Sequence, residues 1–147
     1  MIKRIDHTDP KERIKFLGGS DIAAVMGLSR WRSPLQVWAE KTGKIQPKDL
    51  SDVEYVEIGN DLEQYVAEKF VKKTGFTVRR DSRTFVHPEY SYMVGHIDRM
   101  VVGEEAILEC KTTGAWRAKE WEGEEMPREY ILQCIWYAGL VGKTTAY

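Results

Sequence analysis

The spacing of apolar positions changes near residue 75. Before it the chain reads as helical. Asp9-Pro10 is an N-cap followed by Pro at the first helical position, and predicts a helix through KERIKF to Gly18-Gly19. Ser20 is placed to cap a short helix, DIAAVM, which Gly27 ends. Ser33-Pro34 repeats the start signal for LQVWAEKT, and Gly43 stops it. The longest helical stretch runs from about Ser51 to Thr74. Its stripe is Leu62, Val66 and Phe70, and Gly75 is its stop.

Beyond Gly75, FTVRRDSRTFVHPEY is rich in β-branched and aromatic residues and is broken by Pro88. SYMVGHIDRMVV and EAILECKTT follow, separated by Gly103-Glu104, and read as a β-hairpin. A short amphipathic piece spans about Trp116 to Trp121. Pro127 opens a last helix over REYILQCIWYAGLVG, and TTAY begins another strand. This order predicts an α/β (α+β) domain: a helical N-terminal half and a small mixed sheet flanked by helices.

Composition narrows the class. The 147 residues fit one domain, 1–147. A chain of about 150 residues buries roughly 70% of its unfolded surface. Apolar residues at 42% and aromatics at 11% exclude a disordered tail. No apolar run approaches the ~18 residues of a membrane span. The N-terminus, MIKRIDHTDPKER, lacks the apolar stretch of a signal peptide. Lys plus Arg at 22 against Asp plus Glu at 23 excludes a uniformly basic protein. A local basic path to nucleic acid is compatible with that balance. Cys110 and Cys134 are too few for a disulfide framework or a four-cysteine metal or iron–sulfur site. They are expected to be reduced thiols of a cytoplasmic protein.

The hairpin carries the chemistry. Glu109 and Lys111 are two apart, so they share a strand face, as do His96 and Asp98. With Gly103-Glu104 as a two-residue type II′ turn, Val102 pairs with Glu105, Met100 with Ile107 and Asp98 with Glu109. Directly opposed side chains have Cβ atoms about 5 Å apart, where like charges repel. A divalent cation turns that repulsion into a site, and carboxylate and carbonyl oxygens suit Mg²⁺ or Mn²⁺. Lys111 beside it can hold a water or stabilise charge on a phosphate, which completes the parts for metal-assisted phosphodiester hydrolysis. The alternative is an exposed hairpin with solvated charges and an ordinary Lys111–Glu109 surface pair.

The spacing G-H-I-D98 followed by E109-C-K111 resembles the PD-(D/E)XK nuclease signature, with Ile97 in place of Pro. Three further stretches extend the likeness. GGSDIAAVMGLSRWRSPLQVWAEKTGKI looks like the opening of the YqaJ-like viral recombinase family, to which phage lambda exonuclease belongs. EIGNDLEQYVAEKFVKKTG resembles that family's G-x-x-x-E helix, and PREYILQCIWYAGLVG its Y-x-x-Q helix.

The resemblance implies that Asp98 and Glu109 ligate catalytic metal together with the backbone carbonyl of Cys110. It implies that Lys111 positions or activates the attacking water, that Glu63 supports a metal and that Gln133 acts near that water. Ser20 and Arg13 match a pocket for a terminal 5′-phosphate. The implied activity is Mg²⁺- or Mn²⁺-dependent 5′–3′ exonuclease action on double-stranded DNA ends in the bacterial cytoplasm. A phage single-strand annealing protein and further copies of the chain are the implied partners. Relatives continue past the Gln helix with a completed strand, so a chain stopping at Tyr147 is expected to be shortened there.

Read by themselves, several of these residues have a second explanation. Gln133 lies among apolar neighbours and fits a packed, hydrogen-bonded core amide. Glu63 fits a solvated helix residue, Ser20 a plain N-cap and Arg13 a surface charge. Arg30-Trp31-Arg32 places an aromatic between two cations, suited to phosphate contact and base stacking, while Trp31 packed on the next helix is the alternative. Arg79, Arg80 and Arg83 fit a DNA-tracking edge or a charged strand edge that resists aggregation. His96 is a polar neighbour of Asp98; His7 and His87 show no ligand spacing. A module that keeps the fold and binds DNA or protein without turnover is the competing reading of the whole chain.

Overall fold

Capping explains where the helices begin. Ser33 Oγ accepts the Gln36 N–H at 3.2 Å, and Gln36 Oε1 accepts the Ser33 N–H at 2.7 Å. This reciprocal box, with Pro34 in the first turn, starts α3 (Pro34–Lys41). The computed structural model describes residues 10–47, 53–122 and 126–147. The Asp9 cap, His7 and the expected Ser51 start lie outside the described residues.

The first helix is shorter than the sequence suggests. α1 spans Pro10–Arg13 only. The chain then extends, and Leu17 forms a parallel bridge to Met93. In α2 (Gly19–Val25) the cap is Gly18, not Ser20: the Asp21 carboxylate reaches back to the Gly18 N–H at 3.0 Å. That leaves the Ser20 side chain exposed in the first turn. α4 spans Glu54–Thr74 and stops at Gly75, which takes φ 78°. Its inner face is centred on Ala67 and Phe70; Leu62, expected in the stripe, is exposed.

The long strand expected over 91–102 divides between two sheets. β2 (Phe85–Val86) pairs antiparallel with β3 (Val94–Gly95) in a separate two-stranded sheet. β1 (Val78–Arg79), β4 (Arg99–Val101), β5 (Ala106–Leu108) and β6 (Thr145–Ala146) form the main sheet in the order β1-β4-β5-β6. β6 runs parallel to β5 and the other pairs are antiparallel, so the sheet is mixed, as expected. A 3₁₀ helix (Ala115–Trp121) leads to α5 (Arg128–Val141), which Gly142 ends at φ 68°.

The hairpin register is the expected one: Met100 faces Ile107 and Arg99 faces Leu108. The turn chemistry differs. The Glu104 N–H reaches Val101 O at 3.4 Å, so Gly103, at φ 83°, holds the second central position of its turn rather than the first. Alternation then assigns the two faces. Val101, Ala106 and Leu108 pack with Ala67 and Phe70 of α4, while Met100 and Ile107 pack with Tyr137 and Ala138 of α5. Among the described residues no helix is long and apolar enough to cross a membrane.

Candidate active site

The end of the β4–β5 hairpin brings the predicted chemistry together. Asp98 precedes β4 and Glu109 follows β5, on the face turned towards α5. The Cys110 N–H donates to Asp98 Oδ2 at 2.7 Å and locks that carboxylate. Lys111 Nζ donates to Glu109 Oε1 at 2.7 Å, and Gln133 Nε2 of α5 donates to the same oxygen at 2.9 Å. The Glu109 carboxylate is only 5% exposed, which removes the solvated-hairpin alternative. Its second oxygen, Oε2, is buried and has no hydrogen-bond partner among the described residues. An unpaired carboxylate oxygen in that position is costly.

The electrostatics follow from this crowding. Burial pushes the Glu109 carboxyl up to about 7, and the negative charges of Asp98 and Glu63 push the same way against Lys111. Burial also raises Asp98, against the Cys110 N–H that favours its charged form. Among the described residues, no three His, Cys, Asp or Glu side chains already converge as a metal cage. The donors at hand are Asp98, Glu109 with its orphaned oxygen and the neighbouring backbone. An oxygen-rich, anionic set of this kind fits a hard divalent cation. Cys110 and Cys134 are both free, and burial raises both thiols, Cys110 to about 12. They are therefore poor thiolate ligands at neutral pH.

Glu63 stands on the inner side of α4 and pairs with the guanidinium of Arg99, so it is not a solvated helix residue. Sequence reading missed Arg99. The available signal was a charge at the alternating position that an apolar strand buries. Tyr137 was missed as well. It is 9% exposed, its hydroxyl accepts from Gln133 Nε2 at 3.2 Å, and its ring fills the space left open by Gly19 and Gly95.

The DNA-facing candidates are placed as follows. Lys41 Nζ donates to Arg13 O at 3.2 Å and pairs with Asp21 Oδ2 at 2.9 Å. This brings exposed Arg13 close to the first turn of α2 that carries Ser20. A Cβ on neighbouring Gly19 would lie 3.1 Å from Gln133 Cγ, so the corner abuts the carboxylate site. Arg32 points inward, paired with Asp21 at 2.5 Å and Glu40 at 2.7 Å. Asp21 is held below the usual carboxylate range. The Gly18 N–H, Lys41 and Arg32 together outweigh its burial, the largest single influence. Arg30 pairs with Glu120 at 2.8 Å. Trp31 is 64% exposed, with the Arg117 guanidinium 5.6 Å from its ring centre.

Among the remaining candidates, His96 Nε2 lies 3.3 Å from Thr84 Oγ1, where the chain passes from β3 to β4. His87 Nδ1 accepts the N–H groups of Glu89 and Tyr90 at 3.2 and 3.1 Å, a turn cap. Arg83 and Arg79 pair with buried Asp81 at 2.5 and 3.8 Å, and Arg80 is exposed.

A mixed sheet between helices, with a D…ExK constellation at one end of its hairpin, defines a PD-(D/E)XK-type core. Within that class the chain belongs to the YqaJ-like viral recombinase domain family, whose pattern matches residues 11–144. It is 46% identical over 131 residues to the uncharacterized protein YqaJ of Bacillus subtilis, covering 89% of this chain and 41% of that protein. In fold it resembles the alkaline exonuclease LHK-Exo of Laribacter hongkongensis, with TM-score 0.70 and 18% identity. That match covers 93% of this chain and 71% of the exonuclease. A second structure of that enzyme, in complex with dAMP, matches with TM-score 0.69 and 19% identity over 92% and 70% of the two chains.

Proposed function

We propose that this chain forms the core of a metal-dependent deoxyribonuclease that hydrolyses DNA from its ends, 5′ to 3′, in phage-type recombination. The buried, half-paired carboxylate of Glu109 carries this reading. It lies opposite Asp98 and touches both Lys111 and Gln133. Family membership supports it, and so does a fold shared with an exonuclease that binds dAMP. Asp98, Glu109, Glu63 and the Cys110 carbonyl are the proposed ligands of Mg²⁺ or Mn²⁺. When bound, the ion supplies Lewis-acid stabilisation of the charge that builds on the scissile phosphate.

The chain's own groups do the rest. The Cys110 N–H fixes Asp98, and the Gln133 amide fixes Glu109. Lys111 Nζ, 2.7 Å from Glu109, places a cationic donor where it can orient the attacking water and stabilise negative charge developing on the phosphate. Arg13 and Ser20 would meet the terminal 5′-phosphate, and Arg30 and Trp31 the backbone and bases behind it, with Arg32 holding that loop from inside. Double-stranded DNA ends are the proposed substrate. A single-strand annealing protein and further copies of the chain are the proposed partners, and the bacterial cytoplasm the proposed setting.

With Mg²⁺ or Mn²⁺, linear 5′-phosphorylated duplex should disappear while closed circular duplex persists, and chelation should stop the loss. Equal attack on the circle would exclude an exonuclease. DNA binding without cleavage under either metal would favour the silent module.

Metal should also stabilise the fold, because a ligand that binds only the folded state raises its stability. With the Glu109 carboxyl near 7, added Mn²⁺ must displace a proton below that pH. The rise in Tm on adding Mn²⁺ should therefore be larger at pH 8 than at pH 6. Asp98→Asn should abolish it at both. A pH-independent rise that survives Asp98→Asn would place the cation elsewhere.

A further inference from the structure

Arg99 is 3% exposed at the start of β4, on the face opposite Met100. Its guanidinium joins two elements. Nη1 donates to Glu63 of α4 and to the backbone O of Asp98 at 2.6 Å. Nη2 donates to Gln64 Oε1 at 2.9 Å. The Gln64 amide is set from its other end, since its Nε2 donates to Glu68 Oε1 at 2.9 Å. One planar fork thus grips consecutive residues of α4 and the backbone of a proposed metal ligand. Glu63 belongs to a different element from Asp98 and Glu109, and Arg99 bonds both that element and the strand.

We infer that Arg99 is a positioning residue for the cation site, holding Glu63 at the hairpin end so that its carboxylate is available as a ligand beside Asp98. The inference rests on the reading that Asp98 and Glu109 bind a divalent cation. The geometry explains the choice of side chain. A lysine supplies the same charge as a single point donor, but it cannot reach three acceptors on two elements in one plane. Groups that orient metal ligands in this way commonly change affinity about 10- to 100-fold when altered.

A double-mutant cycle on Mn²⁺ affinity, measured by calorimetry without DNA, tests this. Arg99→Lys should weaken Mn²⁺ binding about tenfold in the parent protein. In a Glu63→Gln background the same change should have no further effect, because the ligand that Arg99 positions is already gone. An equal loss in both backgrounds would make Arg99 a general structural residue and overturn the inference, as would no loss in the parent. Parent protein that binds no Mn²⁺ would overturn the metal reading and this inference with it. Should thermal melts show that Arg99→Lys does not fold, Gln64→Ala takes its place in the cycle. A several-fold loss that depends on Glu63 supports the inference, and a loss independent of Glu63 overturns it.

Discussion

Lys111→Ala should lower the rate of metal-dependent DNA degradation by about 10²- to 10³-fold, the usual cost of removing a positioned donor that stabilises developing charge. The expectation comes from where the ammonium sits. It is half-buried, bonded to Glu109 Oε1 at 2.7 Å, with the Tyr130 ring centre 5.6 Å away. It is a donor beside the carboxylates and not an oxygen ligand, so Mn²⁺ binding should survive its removal. Asp98→Ala should fail differently, losing metal and activity together. Calorimetry for Mn²⁺ and the initial rate of loss of linear duplex separate the two variants. A Lys111→Ala protein that degrades DNA at the parent rate would refute the site assignment.

The hairpin was legible in the sequence because the face a residue takes depends on parity. Moving the turn by one position re-pairs the strands by two residues, yet Asp98, Met100, Ile107 and Glu109 keep one face, and the observed pairing of Met100 with Ile107 is the expected one. The wrong turn geometry therefore left the chemistry in place. Helix ends marked by a cap or a glycine, such as Ser33-Pro34, Gly75 and Gly142, were equally legible.

Features set by tertiary contact were not. Gly18 caps α2 only because the Asp21 carboxylate bends back to it, and Lys41 of α3 and Arg32 of the loop before it hold Asp21. The strand expected over 91–102 divides because the chain changes sheets between Gly95 and Arg99. Such a change has no local signal beyond a glycine. Glu63 and Gln133 entered through family resemblance. In isolation each is a polar residue on a helix, and only packing of α4 and α5 on opposite sheet faces turns both towards the hairpin. Arg99 needed that packing too, since a buried cation is intelligible only when its partners are known.

Gly95→Ala should destabilise the protein by about 1–3 kcal/mol, the usual cost of forcing extra volume into a packed core. A Cβ at residue 95 would lie 2.8 Å from Tyr137 Cδ1 and Cε1 and 2.9 Å from Leu140 Cδ2. Tyr137 has little room to retreat. On α2, a Cβ at Gly19 would come within 2.6 Å of the same ring, and the Tyr137 hydroxyl is bonded to Gln133. Alanine is otherwise favoured over glycine in a strand by roughly 0.5–1 kcal/mol, so a net loss must come from the clash. Because the displaced ring carries Gln133, and Gln133 carries Glu109, the loss of nuclease rate should exceed what the fraction unfolded accounts for. Urea titrations should show a lower midpoint at unchanged slope. In the paired variant Gly95→Ala/Tyr137→Leu the ring is absent, so the two costs should sum to less than their separate values. Strict additivity would mean that the tyrosine is not what the new methyl meets, and that Gly95 is needed for some reason other than close approach.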